Sequence, residues 1–325
     1  MPITTSQFND VVKNALVEWR KGYDGVTPAA RALYDVSSTS KMTSEHSQID
    51  GPGFARRKSE GQRYAIGNPK QGYSLTLTQS RIGLTEAVTW EMRKFDKYRE
   101  IDKVMRRLGE TTANRMELDL TQQFTFGMAA SSYTNMDGET VSTTAADGVQ
   151  IFSASHTMTG ATGNISNLIT SKFSKAGLAA AELLFTKMTS NTGVKVIVKP
   201  DTIVTGDDPA TVNAVREFLN STGMPDSANN GTNVYRSKYQ HIILPYLASD
   251  ATGAYDSTKA NYWMLVDKAH TDAILEIAEN PTFTAPKLGG NGEDFNTDDW
   301  AFKSSATYDY GVADFKWAVG STGAV

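Results

Sequence analysis

The residues best suited to acid–base chemistry are four scattered histidines: His46, His156, His241 and His270. No two of them have the spacing of an HExxH metal site, and the chain has no cysteine for a thiolate site. His156 ends the segment Ser153-Ala154-Ser155-His156, so a soluble hydrolase using His156 is one alternative interpretation. That chemistry also needs an orienting acid and an oxyanion site, and the sequence identifies neither. We therefore expect His156 to make a structural hydrogen bond in a loop.

Two acidic clusters have the oxygen ligands that a hard cation prefers: Asp207-Asp208, and Glu293-Asp294 with Asp298-Asp299. The first is explained as a helix N-cap, and the second lacks the fixed spacing of a calcium loop. The chain also lacks the glycine patterns of phosphate-binding and dinucleotide-binding loops. We therefore predict no catalytic, cofactor-binding or metal-binding residues, no cofactor, and a protein that is not an enzyme.

Composition narrows the class of protein further. The chain has 325 residues, a net charge of −4 and a hydrophobic share of 39%, which is low for a compact enzyme of this length. A nucleic-acid binder would usually be strongly basic, so sequence-specific binding of nucleic acid is not expected. No apolar run reaches the roughly 18 residues that span a membrane, and the first residues do not form a signal peptide. We expect a soluble intracellular product with no membrane partner.

The elements that would position any site begin with one long helix, predicted from Gly83 to Phe126. Apolar residues recur at helical spacing, and Thr85 is the expected capping residue. At about 1.5 Å per residue this helix would be roughly 60 Å long, which predicts an elongated molecule. Its charges alternate in sign, which favours a solvated face with local ion pairs over a nucleic-acid stripe. The apolar positions are Val88, Met92, Phe95, Tyr98, Ile101, Met105, Leu108, Met116, Leu120 and Phe124.

A β-hairpin is predicted just before this helix. Its strands are Gln62–Ile66 and Tyr73–Ile82, and residues 67–72 form the turn. A two-stranded ribbon is marginal alone and needs a partner surface, which here should be acidic. The basic residues set against Glu60 are Arg56, Arg57, Lys58, Arg63, Lys70 and Arg81. We expect these residues to contact other subunits.

Helices and strands are mixed without strict alternation in the rest of the chain, so the predicted class is α+β. An amphipathic helix is expected from Phe8 to Tyr23, with Trp19 packing on the chain's own body or on a neighbouring subunit. Two further helices are predicted, one from a Ser174 cap to Met188 and one capped by Asp208 with Pro209 at its first position. The predicted strands are Val194–Val198, Gln240–Leu244, Tyr262–Val266, Trp300–Tyr310 and Ala313–Val319.

The order of these features resembles the major capsid (head) proteins of tailed bacteriophages, whose fold is named after phage Hong Kong ninety-seven and is shared by encapsulin shells. Each motif is short, and the resemblance comes from their collinear order. The motifs are Ile82-Gly83-Leu84-Thr85-Glu86-Ala87-Val88-Thr89-Trp90-Glu91, Phe95-Asp96-Lys97-Tyr98, Asp147-Gly148 through His156, Val196 through Val204, Leu244-Pro245-Tyr246-Leu247, Tyr262 through Val266, and Tyr308-Asp309-Tyr310-Gly311.

The resemblance implies five segments. They are an N-terminal arm (1–48), an extended hairpin loop (49–84), a spine helix with the first part of a peripheral domain (85–167), an axial domain (168–291) and closing peripheral strands (292–325). No scaffolding-like region and no cross-linking residues are carried over, so either a separate scaffold or a scaffolding segment missing from this sequence is expected.

The implied function is structural. Copies should join as hexamers and pentamers into an icosahedral shell that encloses double-stranded DNA without sequence-specific binding. Portal and decoration proteins are further expected partners, with assembly in the host cytoplasm and a final location in the virion capsid. The main alternative is an encapsulin-like shell around a protein cargo. A tail or decoration protein is a weaker one, because it would be dominated by β structure.

Overall fold

The computed structural model describes residues 5–50, 53–67, 70–95, 99–158, 163–223, 231–286 and 298–324. Two of its helices begin where capping residues in the sequence predict them to begin. In two of the helices the predicted side chains cap the first turn: Ser174 accepts a hydrogen bond from the backbone nitrogen of Gly177 at 3.1 Å, and Asp208 accepts one from that of Thr211 at 3.2 Å. The helices are α1 (Thr5–Gly25), α2 (Trp90–Phe95), α3 (Glu100–Gly127), α4 (Lys175–Thr186) and α5 (Pro209–Asn220).

The strands form two main sheets and two small ribbons. In chain order they are β1 (Asp35–Ser38), β2 (Thr43–Asp50), β3 (Lys70–Thr78), β4 (Ser80–Val88), β5 (Ser132–Thr134), β6 (Thr140–Ser142), β7 (Leu168–Ile169), β8 (Thr202–Thr205), β9 (Gln240–Ile243), β10 (Trp263–Val266), β11 (Ala273–Thr284), β12 (Trp300–Val312) and β13 (Ala318–Ser321). One sheet has the order β1-β11-β12-β4 and the other has the order β7-β13-β10-β8-β9. The ribbons are β2-β3 and β5-β6.

The long helix is shorter than predicted, and its predicted first turns form a strand. Residues from Ser80 to Val88 pair with β12, because a neighbouring strand is present to satisfy their backbone groups. Thr85, the expected capping residue, lies in β4; Thr89 caps the short helix α2 instead, because its hydroxyl accepts a hydrogen bond from the backbone nitrogen of Met92 at 3.3 Å. Arg99, with φ of 55°, precedes the start of α3, so α2 and α3 do not form one rod. The 28 residues of α3 span about 42 Å.

The stripe predicted for the later part of that helix is confirmed. All six of its apolar residues within α3 are buried: Ile101, Met105, Leu108, Met116, Leu120 and Phe124. The first half of α3 lies in one hydrophobic cluster with α1 and the start of β12, and its second half lies in a larger cluster that contains residues of both main sheets. The helix therefore joins the two halves of the hydrophobic core.

Several predicted strands differ in extent. Residues 62–66 form no strand, and Val194–Val198 has only one isolated bridge, between Thr189 and Lys195. The true partner of β3 is β2, a polar segment with no evident period. From Ala313 to Val319, only the last two residues belong to a strand, β13, which lies in the five-stranded sheet. Glu293 and Asp294 lie outside the described residues.

The chain exposes much more surface than a compact monomer. Its accessible surface is 17549 Å² at a mass of 35.4 kDa, whereas the usual scaling gives roughly 13,000 Å² for a globular protein of this mass. The excess is therefore on the order of 4,000 Å². No helix in the described part of the chain is both long and apolar enough to cross a membrane.

Candidate assembly surface

The most exposed part of the described chain is a loop carried by the β2-β3 ribbon. Residues 53–67, which we call the basic loop, are exposed at every position. Phe54, Tyr64 and Ile66 are 81%, 78% and 91% exposed, although large apolar side chains are normally buried. The loop also contains Arg56, Arg57, Lys58 and Arg63 against Glu60 alone. A surface that combines apolar anchors with positive charge has the chemistry of an interface.

One face of the ribbon packs on its own subunit, which positions the loop. Leu77 is 2% exposed, and Leu75 and Leu77 lie over Gly311 in β12. A Cβ added at Gly311 would lie 3.0 Å from a methyl carbon of each leucine, so the ribbon approaches β12 about as closely as side chains permit. The leucines of β3 are thus held by contact with the four-stranded sheet.

Acidic side chains of the subunit's body hold the polar residues of the ribbon. The His46 Nε2 atom lies 2.9 Å from the Glu276 carboxylate, and the backbone nitrogen of Thr78 donates to Asp309 at 2.6 Å. Burial raises the pKa of Asp309 above its ordinary value, and its backbone hydrogen bonds oppose that shift. Gln48 donates to Asp314. The ribbon is therefore anchored at its base while the basic loop extends beyond it.

The other predicted contact residues have different surroundings. Arg81 in β4 pairs with Glu279 of its own chain at 3.2 Å. Lys70 is the first residue of β3, and its side chain is outside the described structure. None of the ion pairs found among the described residues involves the four cations of the basic loop. These four cations are the ones best placed to meet a neighbour.

Trp19 is buried inside its own subunit. It is 5% exposed, its Nε1 donates to the Ser304 hydroxyl at 3.0 Å, and its ring stacks on that of Tyr23. In this conformation Trp19 joins α1 to the four-stranded sheet and α3, and it offers no surface to another subunit. Of the two partners expected for Trp19, the chain's own body is the one observed.

A buried carboxylate that the sequence did not single out attaches the segment after α1 to α3. Glu117 is 4% exposed and accepts a hydrogen bond from the backbone nitrogen of Ala30 at 2.6 Å. Burial raises the pKa of Glu117 to about 7, and its backbone hydrogen bonds only partly oppose this. The position of Glu117 in the sequence could have indicated its burial, because it lies one residue from Met116 and three from Leu120, beside the buried stripe of the helix.

His156 has a structural environment rather than a catalytic one. Its ring is fully buried and stacks on Phe315, with the ring centroids 3.7 Å apart. Its Nδ1 lies 2.7 Å from Asp147, and its Nε2 lies 3.1 Å from the side-chain oxygen of Asn167. Neither ring nitrogen faces a serine hydroxyl, so the residues do not form a nucleophile and its base. Among the described residues, no group of three or more acidic or histidine side chains could hold a metal ion.

Comparisons with known proteins agree with this structural role. A family model described as phage capsid protein matches residues 72–321, which is well over half of the chain. A search of curated protein sequences finds no match. The chain is similar in structure to the asymmetric unit of the bacteriophage PhiM1 mature capsid, with a TM-score of 0.55 and 10% identity over 91% of this chain and 87% of that one.

Two further structures share the fold. One, from Gordonia phage Cozz, has a TM-score of 0.54 and 11% identity over 91% of this chain and 86% of that one. The other is a virus-like particle from Pyrococcus furiosus, with a TM-score of 0.50 and 10% identity over 95% and 98%. At such low identity these structures confirm the capsid fold, and the sequence model identifies the family. This chain therefore belongs to the phage capsid protein family, and it is a structural shell protein of a virion rather than an enzyme.

Proposed function

We propose that this chain is the major head protein of a tailed phage and that its copies join through the basic loop. The observation that carries this proposal is the exposure of Phe54, Tyr64 and Ile66, each more than three-quarters accessible, on a loop with four cations. Leaving such side chains in water forgoes about 1.5–3 kcal/mol for each one, which a neighbouring subunit could recover by burying them. The excess surface of the chain supports the same conclusion, because obligate interfaces commonly bury 2,000 Å² or more.

The two sheets support a peripheral and an axial domain like those predicted, with several strands reassigned between the predicted segments. We assign the five-stranded sheet with α4 and α5 to an axial domain that meets its copies around hexamer and pentamer centres. This domain gains β13, which lies beyond the predicted boundary of 168–291, and loses β11, which pairs with β12. The four-stranded sheet with α3 forms the peripheral domain, and α1 belongs to the N-terminal arm.

The remaining partners follow from the same proposal. A closed head needs a portal through which double-stranded DNA enters, and a separate scaffold protein and decoration proteins are further expected partners. The net charge of −4 is compatible with a wall that does not trap DNA, so contacts with the genome would not be sequence-specific. Assembly would take place in the cytoplasm of the host.

Replacing the basic loop tests this function directly. In the variant, residues 54–66 become a glycine-serine segment of equal length, which retains β2 and β3. We expect folded capsomers or aggregates but no closed shells by electron microscopy, with unchanged circular dichroism. A matched control replaces only Ser59, Glu60, Gly61 and Gln62, and it should form shells like the wild type. Closed shells from the full replacement would contradict the role given to the loop.

A shell around a protein cargo, the main alternative that the sequence resemblance left open, is the second candidate. The contents of native particles distinguish the two functions. Nuclease-resistant, double-stranded DNA of uniform length inside the particles is the result expected of a phage head. Particles that lack DNA and contain one enriched protein would favour the compartment.

A further inference from the structure

A cavity lies where the arm meets the spine helix, and its surroundings suit a side chain from outside the subunit. Its volume is about 290 Å³, and it lies between the end of α1, the segment that follows it, and α3. A water molecule occupies about 30 Å³ in the liquid, so the cavity has room for one large aromatic side chain. Met116 and Leu120, both almost fully buried, form an apolar floor.

Polar residues also line the cavity. Glu117, whose carboxylate accepts from the backbone nitrogen of Ala30, is a buried lining residue, while Asp24 is an exposed one. Arg31 is the one cation among the lining residues, so the charges of the three side chains sum to −1 when both carboxylates are ionised. An incoming group should therefore be apolar in its body, able to donate a hydrogen bond, and accompanied by positive charge.

Tyr64 of the basic loop has these three properties. Its ring is 78% exposed, its hydroxyl is a donor, and Arg63 and Lys58 accompany it, with the Lys58 ammonium 4.7 Å from the ring centroid. Because the loop is exposed at every described position, it does not fill the cavity of its own subunit. Phe54 is equally exposed but has no hydroxyl to pair with a carboxylate. Aromatic side chains that enter pockets are the usual anchors of protein interfaces.

We propose that Tyr64 from one copy of this chain inserts into the arm–spine cavity of a neighbouring copy. The phenol ring rests on Met116 and Leu120, its hydroxyl donates to Glu117, and Arg63 meets the exposed Asp24. This inference rests on the proposed shell function and adds the receiving surface to it. It also gives the buried end of the arm a role in assembly, because the segment after α1 forms one side of the receptor.

Disulfide cross-linking can test this contact, because the chain has no cysteine of its own and any disulfide must form between introduced cysteines. Copies with Tyr64→Cys are assembled with copies that have Pro28→Cys, which changes an exposed residue lining the cavity. A bond needs Cα atoms within about 7 Å, so oxidation should link the two kinds of copy only where the loop reaches the cavity. Phe54→Cys copies mixed with Pro28→Cys copies are the matched control. We expect at least tenfold more linked dimer from the Tyr64→Cys mixture.

The possible results separate this inference from the function on which it rests. Shells that form normally but give no more linked dimer than the control would overturn the inference and leave the shell function intact. If the wild-type protein formed no shells under any assembly condition, both the inference and the proposed shell function would be wrong. A second measurement does not depend on cysteine: Tyr64→Ala should raise the concentration needed for assembly at least tenfold, while Tyr64→Phe should raise it less. Equal assembly by Tyr64→Ala and wild type would also overturn the inference.

Discussion

Both ring nitrogens of His156 are used to hold one loop against the core. The side-chain nitrogen of Asn167 faces the carbonyl oxygens of Ile151, Phe315 and Ala318, so its oxygen must face His156 and the backbone nitrogen of Ser153. The Nε2 atom of His156 therefore donates to Asn167. Such a buried network makes a loop rigid without giving it any reactive group.

Removing the His156 ring should destabilise the subunit. In His156→Ala the Asp147 carboxylate, with a side chain only 3% exposed, loses the partner 2.7 Å away. We expect the free energy of unfolding to fall by about 3 kcal/mol, measured by chemical denaturation. His270→Ala is the matched control, because that ring also faces an aspartate but is 80% exposed, and it should cost under about 1 kcal/mol. Equal losses from both variants would contradict this account.

The raised pKa of Glu117 should make the free energy of unfolding depend on pH. Burial raises its pKa from 4.5 to about 7, so the folded subunit binds a proton that the unfolded chain has released between these values. The stabilisation is complete below about pH 4.5 and is lost as the pH rises to about 7. At about 1.36 kcal/mol per pKa unit the loss could reach roughly 3 kcal/mol. In Glu117→Gln this part of the pH profile should be absent, as measured by unfolding between pH 4 and pH 8. An unchanged profile would contradict the assignment.

At the scale of elements, local signals predicted the helices better than the strands. Ser174 and Asp208 cap helices in the structure as their types and positions indicated. By contrast, β2 has no apolar alternation, and it becomes a strand because β3 lies beside it. The same non-local effect turned residues 83–88 into β4, since β12 supplies a partner that no local pattern reveals. The exposed cations of the basic loop were predictable, but the cavity and Glu117 depend on how the arm packs.

The crossing of α1 over α3 depends on two glycines. A Cβ at Gly109 would lie 2.1 Å from the backbone oxygen of Trp19, and one at Gly22 would lie 2.0 Å from that of Arg106. Gly109→Ala should therefore push the helices apart and lower the unfolding free energy by about 2–3 kcal/mol. The arm should also become more sensitive to limited proteolysis.

Gly25→Ala is the matched control for this helix crossing. Gly25 is the last residue of α1, and a Cβ there would have no atom within 4 Å. The control should leave both the unfolding free energy and the rate of arm cleavage close to wild type. If Gly109→Ala behaved like the control, the close contact between α1 and α3 would not be the attachment of the arm.

At the scale of the whole molecule, the subunit has a packed hydrophobic core but also exposes surface that a neighbouring subunit could bury. Two hydrophobic clusters of buried side chains both include residues of α3, and the larger cluster also includes residues of both main sheets. The excess accessible surface lies outside these cores, and the basic loop is its clearest part. A shell protein needs this division, because subunits must remain soluble until many weak contacts can form together. Association should then depend on the charge of the loop before it depends on apolar burial.

This dependence makes the rate of shell assembly sensitive to salt. Charged side chains in water are screened over about 8 Å at physiological ionic strength and about 3 Å at 1 M, so wild-type assembly followed by light scattering should slow as salt is added. A triple variant with Arg56, Arg57 and Lys58 changed to Gln should assemble about tenfold more slowly at low salt, because it lacks this attraction, and its rate should vary less with salt. The matched control changes Lys13, Lys41 and Lys303, which are also exposed and lie outside both the basic loop and the axial domain, to Gln, and it alters the net charge by the same amount. If the control slowed assembly as much as the triple variant, net charge and not the basic loop would set the rate.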